Sequence, residues 1–174
     1  MHHVLVVGAG GHGRAVAEVL RQSANCKVVG FLDDAEQGNV WEWPILGATT
    51  TRLESYLASA DSAIVAIGNN RRREELQASL QNAGFNMITA VHPRAVVSAT
   101  ARIGSGCALM AGAIVGTEAV LEEGVIVNSG AVVDHHCRVE AFGHLGTNAS
   151  MAGGSVLGRG AWMQAGASLG YQVC

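Results

Sequence analysis

The sequence predicts two parts, a small α/β domain followed by a parallel β-solenoid, and three observations carry that prediction. From Val91 onward a branched or long aliphatic residue returns at every sixth position: Val91, Val97, Ile103, Leu109, Val115, Leu121, Val127, Val133, Val139, Leu145, Met151, Leu157, Met163 and Leu169. Four places after each of these up to Met163 stands a small residue in every case but one, from Ala95, Ala101 and Cys107 through to Ser155, Ala161 and Ala167, the exception being Val125. Ahead of this stretch the pattern differs, because short apolar runs there alternate with glycine turns and amphipathic segments.

The first elements follow in order. His3 to Val7 reads as a buried strand running into Gly8-Ala9-Gly10-Gly11-His12-Gly13. Arg14 to Gln22 is amphipathic, with Ala15, Val16, Val19 and Leu20 on one helical face. A second strand, Val28 to Leu32, ends in Asp33-Asp34. Trp41 to Gly47 reads as a surface connection into a Thr49–Leu57 helix. A third strand, Ala63 to Ile67, ends in Gly68-Asn69-Asn70, and the helical stretch Arg71 to Ala83 is stopped by Gly84. This order describes a small doubly wound sheet with ligand groups at the carboxyl ends of its strands. His92-Pro93 marks the boundary, which gives domains of residues 1–90 and 91–174.

Gly8-x-Gly10-x-x-Gly13 has the form of a dinucleotide fingerprint, and Asp33 stands where a ribose-binding acid would fall. A domain of about ninety residues, however, is roughly half a full dinucleotide fold. The narrower physical reading is a set of backbone N–H groups at a helix N-terminus facing a phosphate, with neighbouring carboxylates accepting from a ribose or base. The plainer alternative is a glycine turn that only packs helix on strand.

In the second part a period of six fits neither a helix nor a half-buried strand. It fits hexapeptide solenoids, in which three six-residue units close one triangular coil and coils stack at roughly 4.8 Å. Glycines gather at the turn positions. Cys107 and Cys137 occupy the small inward position and read as core fillers, and Cys26 and Cys174 have no metal-ligand spacing to another cysteine.

Composition narrows the function classes. Charged residues are 14% of the chain, with 11 basic and 14 acidic residues and a net charge of −3. No basic patch rich in aromatics points to nucleic acid. No apolar run is long enough to span a membrane and the N-terminus reads as a strand, so a cytoplasmic protein without membrane contact is expected.

Polar exceptions within the repeat stand out. Asp134-His135-His136 fills one turn, and His144 follows. His135, two places after Val133, falls at an outward prism corner, and His144, five places after Val139, falls mid-strand and also outward. His136 stands at a position that is otherwise mostly glycine. A single prism is convex and has no pocket, whereas two side by side make a groove, so a histidine site here calls for a neighbouring subunit, and a trimer supplies three equivalent grooves. Histidine is the usual group for taking a proton from an amine or hydroxyl nucleophile. Zinc held by three histidines is the rival chemistry, disfavoured because two of them are adjacent and point differently; solvated surface histidines are the plain one.

Both halves resemble one family, the bacterial hexapeptide-repeat acetyltransferases of the sialic acid and bacillosamine pathways. The landmarks are Gly8-Ala9-Gly10-Gly11-His12-Gly13, Phe31-Leu32-Asp33-Asp34, Ala66-Ile67-Gly68-Asn69-Asn70, His92-Pro93, Asn128-Ser129-Gly130 and Asp134-His135-His136-Cys137. The resemblance implies a Rossmann-like domain ahead of a left-handed parallel β-helix, a homotrimer with sites between subunits, acetyl-CoA as co-substrate and a nucleotide-sugar acceptor. No metal is expected, on the placing of the histidines given above. By that likeness His135 is the general base, within the catalytic turn Asp134-His135-His136, and transfer to a UDP-4-amino-sugar is direct. His144, Gly153 and Ala165 match cofactor positions, and Gly10, Gly11, His12, Asp33, Asp34, Gly68 and Arg71 match nucleotide-sugar positions.

Two departures from the family pattern are visible. His136 stands where the family often has a carboxylate, and an imidazole does not supply that negative charge; either Asp134 or a group from another subunit then orients His135. The register also stops at Leu169-Gly170-Tyr171-Gln172-Val173-Cys174, about two coils before the family's own cap, which reads as a chain shortened at its C-terminus. The leading reading is N-acetylation of a nucleotide-linked amino-sugar in a cell-surface polysaccharide pathway. O-acetylation of a sialic acid or similar hydroxyl is the alternative within the enzyme class, and a non-catalytic nucleotide-sugar-binding scaffold is the alternative outside it.

Overall fold

Apolar runs between glycine turns build a six-stranded sheet at the N-terminus. In the computed structural model, which describes residues 1–50 and 52–174, the chain divides into units Met1–Ile88 and Thr89–Cys174. The first unit contains β1 (His2–Val7), α1 (Gly11–Arg21), β2 (Cys26–Leu32), β3 (Asn39–Val40), β4 (Trp43–Gly47), a 3₁₀ turn (Leu53–Tyr56), β5 (Ser62–Val65), α2 (Asn70–Asn82) and β6 (Asn86–Met87). The strand order is β3-β4-β2-β1-β5-β6, with every pair parallel except β3–β4. The central strand β1 buries Val4 to Val7 completely or nearly so. One face of α1 buries Val16, Ala17, Val19 and Leu20, and α2 buries Leu76 and Leu80. The side chain of Asn69 caps α2 by accepting the Arg72 N–H at 3.0 Å.

Three sequence expectations are corrected in this unit. The first helix begins at Gly11 rather than Arg14, since Gly10 adopts an extended cap conformation and the glycine turn supplies the first helical turn. Trp41 to Gly47 is not a plain connection, because β4 pairs with both β2 and β3. Its partly buried residues are Trp43, Ile45 and Gly47, with Pro44 and Leu46 outward, and the Trp43 ring lies 6.2 Å from that of Phe31. The Thr49–Leu57 helix reduces to the turn Leu53–Tyr56. Thr51, within that expected helix, lies outside the described residues. β-Branched threonines are poor helix formers, and Thr49 is drawn into hydrogen bonds with Asp34.

The second unit is a left-handed parallel β-helix of two-residue strands on three faces. Strands of the first face open with Ala90, Ala108, Ile126, His144 and Trp162. Those of the second open with Val96, Ile114, Val132, Ser150 and Ser168, and those of the third with Arg102, Val120, Arg138 and Val156. Each strand pairs with the one a full coil away, as in Ala108 with Ile126, Ile114 with Val132 and Val120 with Arg138. The two interlocked series fill the interior: Leu109, Val115, Leu121, Val127, Val133, Val139 and Leu145 are at most 1% exposed, packed against Cys107, Ala113, Ala119, Ala131, Cys137 and Ala149. Val91 departs from the expected core at 43% exposed, because it belongs to the first coil and has none stacked beneath it.

Corner geometry explains the glycine pattern. From Gly106 to Gln172 one position at each corner takes a left-handed φ, which glycine adopts without strain, and Glu118, His136, Phe142, Asn148 and Gln172 take it at φ of 56 to 60°. Among the described residues no helix is long and apolar enough to cross a membrane.

Candidate active site

The glycine turn of the first unit frames a cavity of about 320 Å³ lined by Gly8, Gly10, Gly11, His12, Asp33, Ala66, Ile67 and Gly68. Its glycines do two different jobs. A Cβ on Gly13 would lie 1.8 Å from the Gly8 carbonyl oxygen, so that residue permits strand and helix to meet. A Cβ on Gly10, Gly11 or Gly68 would meet nothing within 4 Å, so these residues leave the cavity wall open. The cavity stands at the N-terminus of α1, whose first-turn amides have no intrahelical acceptor and suit a phosphate.

The two expected carboxylates prove unequal. Asp33 Oδ2 accepts the Ala9 N–H at 2.7 Å, and Oδ1 accepts those of Ala35 and Glu36 at 2.8 and 2.9 Å. Burial pushes its pKa up, but these three backbone donors outweigh burial and hold it below the usual carboxylate value. With about four lone-pair sites on a carboxylate, about one remains for a ligand hydroxyl. Asp34 is not among the residues lining this cavity. It accepts both the hydroxyl and the N–H of Thr49, with the Arg72 guanidinium 3.5 Å away; the Thr49 bonds are the main cause of its lowered pKa. Arg71 also stands apart, 90% exposed and paired with Glu75 at 3.1 Å.

In the second unit the corner between the second and third faces collects the unusual residues. Asp134 Oδ1 accepts the backbone N–H of His135 at 2.7 Å. The Nδ1 atoms of His135 and His136 are 2.9 Å apart, with the rings nearly perpendicular. Nε2 of His136 is 2.9 Å from Oε2 of Glu118, one coil below. Asp134 Oδ2 lies 3.9 Å from Nε2 of His135, so Asp134 holds the backbone of His135 while His136 bonds its ring. One coil above, a Cβ on Gly153 would lie 2.5 Å from Cε1 and 2.6 Å from Nε2 of His135, so the imidazole occupies the space that glycine leaves. Tyr171, a further coil above, has its ring centroid 6.1 Å from that of His135. His135, His136, Gly153, Gly154, Tyr171 and Gln172 line a cavity of about 240 Å³. An imidazole at the wall of a small open cavity, with its other nitrogen hydrogen-bonded, is equipped to take a proton from a bound nucleophile.

The remaining expected residues lie elsewhere on the prism. His144 is on the first face, and instead of facing solvent it is 5% exposed, with the Trp162 indole stacked on it at 5.0 Å and 6°. The outward row of that face is covered around it, since Ala108 and Ile126 are buried as well. Ala165 is exposed at the corner between the first and second faces. In a triangular coil the first face lies opposite the corner carrying His135. One chain therefore gathers Asp134, His135, His136 and Gly153 but does not bring His144 or Ala165 to them. Among the described residues no three His, Cys, Asp or Glu side chains stand together as metal ligands. Cys107 and Cys137 are buried, each with Sγ near a backbone carbonyl oxygen.

Sequence reasoning missed Glu118, Tyr171, Thr49 and Arg72. The signal for the first was present, because a coil of eighteen residues stacks position 118 beneath 136. By the same interval Tyr171 stands two coils above His135, with Gly153 between them in one corner column. No periodicity announced the pairing of Thr49 and Arg72 with Asp34.

Comparison with known proteins agrees with both units. Residues 3–80 match the family model described as the PglD N-terminal domain. The chain is similar to the UDP-N-acetylbacillosamine N-acetyltransferase of Bacillus subtilis (strain 168), 34% identical over 116 residues. That match covers 64% of this chain but only 52%, about half, of the curated relative. Among solved structures it is similar to the acetyltransferase domain of PglB from Neisseria gonorrhoeae FA1090 in complex with acetyl coenzyme A, with TM-score 0.90, 38% identity, and 98% of this chain and 83% of that one covered. It is also similar to a His-to-Asn variant of perosamine N-acetyltransferase from Caulobacter crescentus in complex with CoA and GDP-perosamine, with TM-score 0.94, 34% identity, and coverage of 99% and 81%.

Proposed function

This chain belongs to the family of hexapeptide-repeat sugar acetyltransferases with a PglD-type N-terminal domain, and from that premise we propose that it transfers an acetyl group from acetyl-CoA to the amine of a nucleotide-linked amino-sugar. The observation that carries the proposal is His135 at the wall of the corner cavity, seated over Gly153 with its Nδ1 bonded to His136. In a direct transfer the amine nitrogen attacks the thioester carbonyl carbon while Nε2 of His135 takes an amine proton. The C–S bond then breaks, and the CoA sulfur leaves as the thiol with that proton, giving an acetamide. The relatives support this reading, being N-acetyltransferases or acetyltransferase domains found with acetyl-CoA, or with CoA and GDP-perosamine.

In this proposal the cavity formed by Gly10, Gly11, His12, Asp33 and Gly68 holds the nucleotide, with UDP the preferred one. Asp34 serves it indirectly by fixing the Thr49 segment, and Arg71 meets the phosphates from the start of α2. A homotrimer completes the active site. On the second face Val96 and Ile114 are 63% and 40% exposed, an apolar stripe suited to a neighbouring prism. His144 and Ala165 of a neighbouring prism then line the cofactor side of a groove opposite His135, which is how residues on opposite sides of one prism serve one site. The substrates and the four free thiols suit a cytoplasmic enzyme.

The test is thiol release from acetyl-CoA with a panel of UDP-, GDP- and CMP-linked amino-sugars. A UDP-linked 4-amino-sugar is expected to give turnover, and His135→Ala to lower kcat by about 10²–10⁴, the range for losing a general base. Unchanged turnover in that variant removes His135 from the mechanism, and nucleotide-sugar binding with no thiol release across the panel identifies a scaffold instead.

A further inference from the structure

The turn that holds His135 contains a three-member chain that the proposed reaction does not by itself explain. His135 Nδ1 meets His136 Nδ1 at 2.9 Å, and His136 Nε2 meets Glu118 Oε2 at 2.9 Å. Glu118 and His136 occupy equivalent positions on successive coils, with φ of 56° and 58°, and the ladder of corner bonds fixes their separation: the His136 N–H donates to the Thr117 carbonyl at 2.9 Å.

The donor and acceptor roles in this chain are not independent. A carboxylate only accepts, so Nε2 of His136 must carry the proton in its bond to Glu118. In the neutral ring that leaves Nδ1 of His136 as an acceptor, so Nδ1 of His135 must carry the proton between the two rings. Nε2 of His135 is then left as a lone pair, at the nitrogen that lies over Gly153 in the cavity. We infer that Glu118 is a positioning residue which, acting through His136, fixes the tautomer of His135 and presents Nε2 as the base. The same chain serves the next moment of the reaction. When His135 takes a proton at Nε2 it becomes a cation, its Nδ1–H bond to His136 strengthens, and the negative charge of Glu118 is felt through the polarised ring between them. An imidazole next to the base thus conveys a charge it does not own.

This inference rests on His135 being the general base, so its test needs one arm that does not depend on turnover. In protein labelled with ¹⁵N-histidine, long-range ¹H–¹⁵N correlation spectra should show His135 as the Nδ1–H tautomer and His136 as the Nε2–H tautomer. Glu118→Ala should release both, with the Nε2–H form of His135 appearing. His135 already in the Nε2–H form in the unaltered protein, or tautomers indifferent to Glu118→Ala, overturns the inference whatever the enzyme acetylates. The second arm is kinetic, by thiol release with acetyl-CoA and a UDP-linked 4-amino-sugar. Glu118→Ala should lower kcat about 10–100-fold, the range for removing a partner that orients a functional imidazole, with KM for both substrates unchanged. His136→Glu places a carboxylate directly beside His135, at a corner whose left-handed φ Glu118 itself adopts. In that background Glu118→Ala should cost nothing further. An equal loss in both backgrounds shows that Glu118 is merely structural and overturns the inference. Intact tautomers in a protein that acetylates none of the sugars would uphold the chain of bonds and defeat only the proposed reaction.

Discussion

In the solenoid a residue's neighbours stand a fixed eighteen places away on either side, whereas in the N-terminal unit they stand wherever the chain happens to return. Val133 pairs with Val115 and Met151, and Glu118 reaches His136, by the same interval. Asp33 instead binds Ala9, and Asp34 binds Thr49, across separations that nothing periodic foretells. Energy is distributed accordingly. The solenoid rests on many equivalent aliphatic contacts between adjacent coils, the other unit on a few tight approaches and polar ties around one turn.

The sharpest way to break this contrast is to remove one rung of each. Trp41 and Trp43 lie in one unit and Trp162 in the other, so Trp162→Phe and the double Trp41→Phe/Trp43→Phe variant give fluorescence reporters for each unit in turn. Leu121→Ala, at 1% exposure among packed neighbours, should destabilise the solenoid by about 2–5 kcal/mol in urea unfolding read at Trp162, and leave the midpoint at Trp41 and Trp43 in place. Gly13→Ala should do the reverse. Its Cβ would intrude on the Gly8 carbonyl, destabilising the first unit by about 1–3 kcal/mol as read at Trp41 and Trp43. If both reporters shift together in either variant, the units are energetically one.

The smallest effect is acid sensitivity. The native pKa values of Asp33 and Asp34 are lowered from an ordinary 3.8, so their contribution is fully present above that value and is lost as pH falls through the lower native one. Below about pH 4 the Tm read at Trp41 and Trp43 should fall a few degrees more than that read at Trp162. Parallel acid profiles would remove these carboxylates from the account of the first unit's stability.

What was legible in the sequence follows the same division. The interior of the solenoid was readable residue by residue because period and contact are the same thing there, and only Val91, in the first coil, departs. The histidine corner was readable for the same reason. The charge behind it was not found, because the search for a carboxylate stayed beside His135 in sequence rather than one coil below. His144 was placed on the right face but expected in solvent, since spacing fixes direction and not what covers it. In the first unit the glycine turn was plain, yet β4 was read as a connection because a five-residue strand that contains Pro44 and lies next to the sheet edge carries too little alternation to declare itself. Asp34 was legible as a carboxylate at a strand end, but its bonds to Thr49, fifteen residues on, were not.

Two arithmetics coexist in the repeat. Because every sixth residue points inward, deleting or inserting one six-residue rung would keep every aliphatic residue inside and spare the fold. The same edit between Glu118 and His136 would carry the carboxylate round to a different corner and strand the imidazole pair. The body thus tolerates any multiple of six, whereas Glu118 and His136 meet only at a spacing of one coil, so rungs can be gained or lost outside that segment without parting them but not within it.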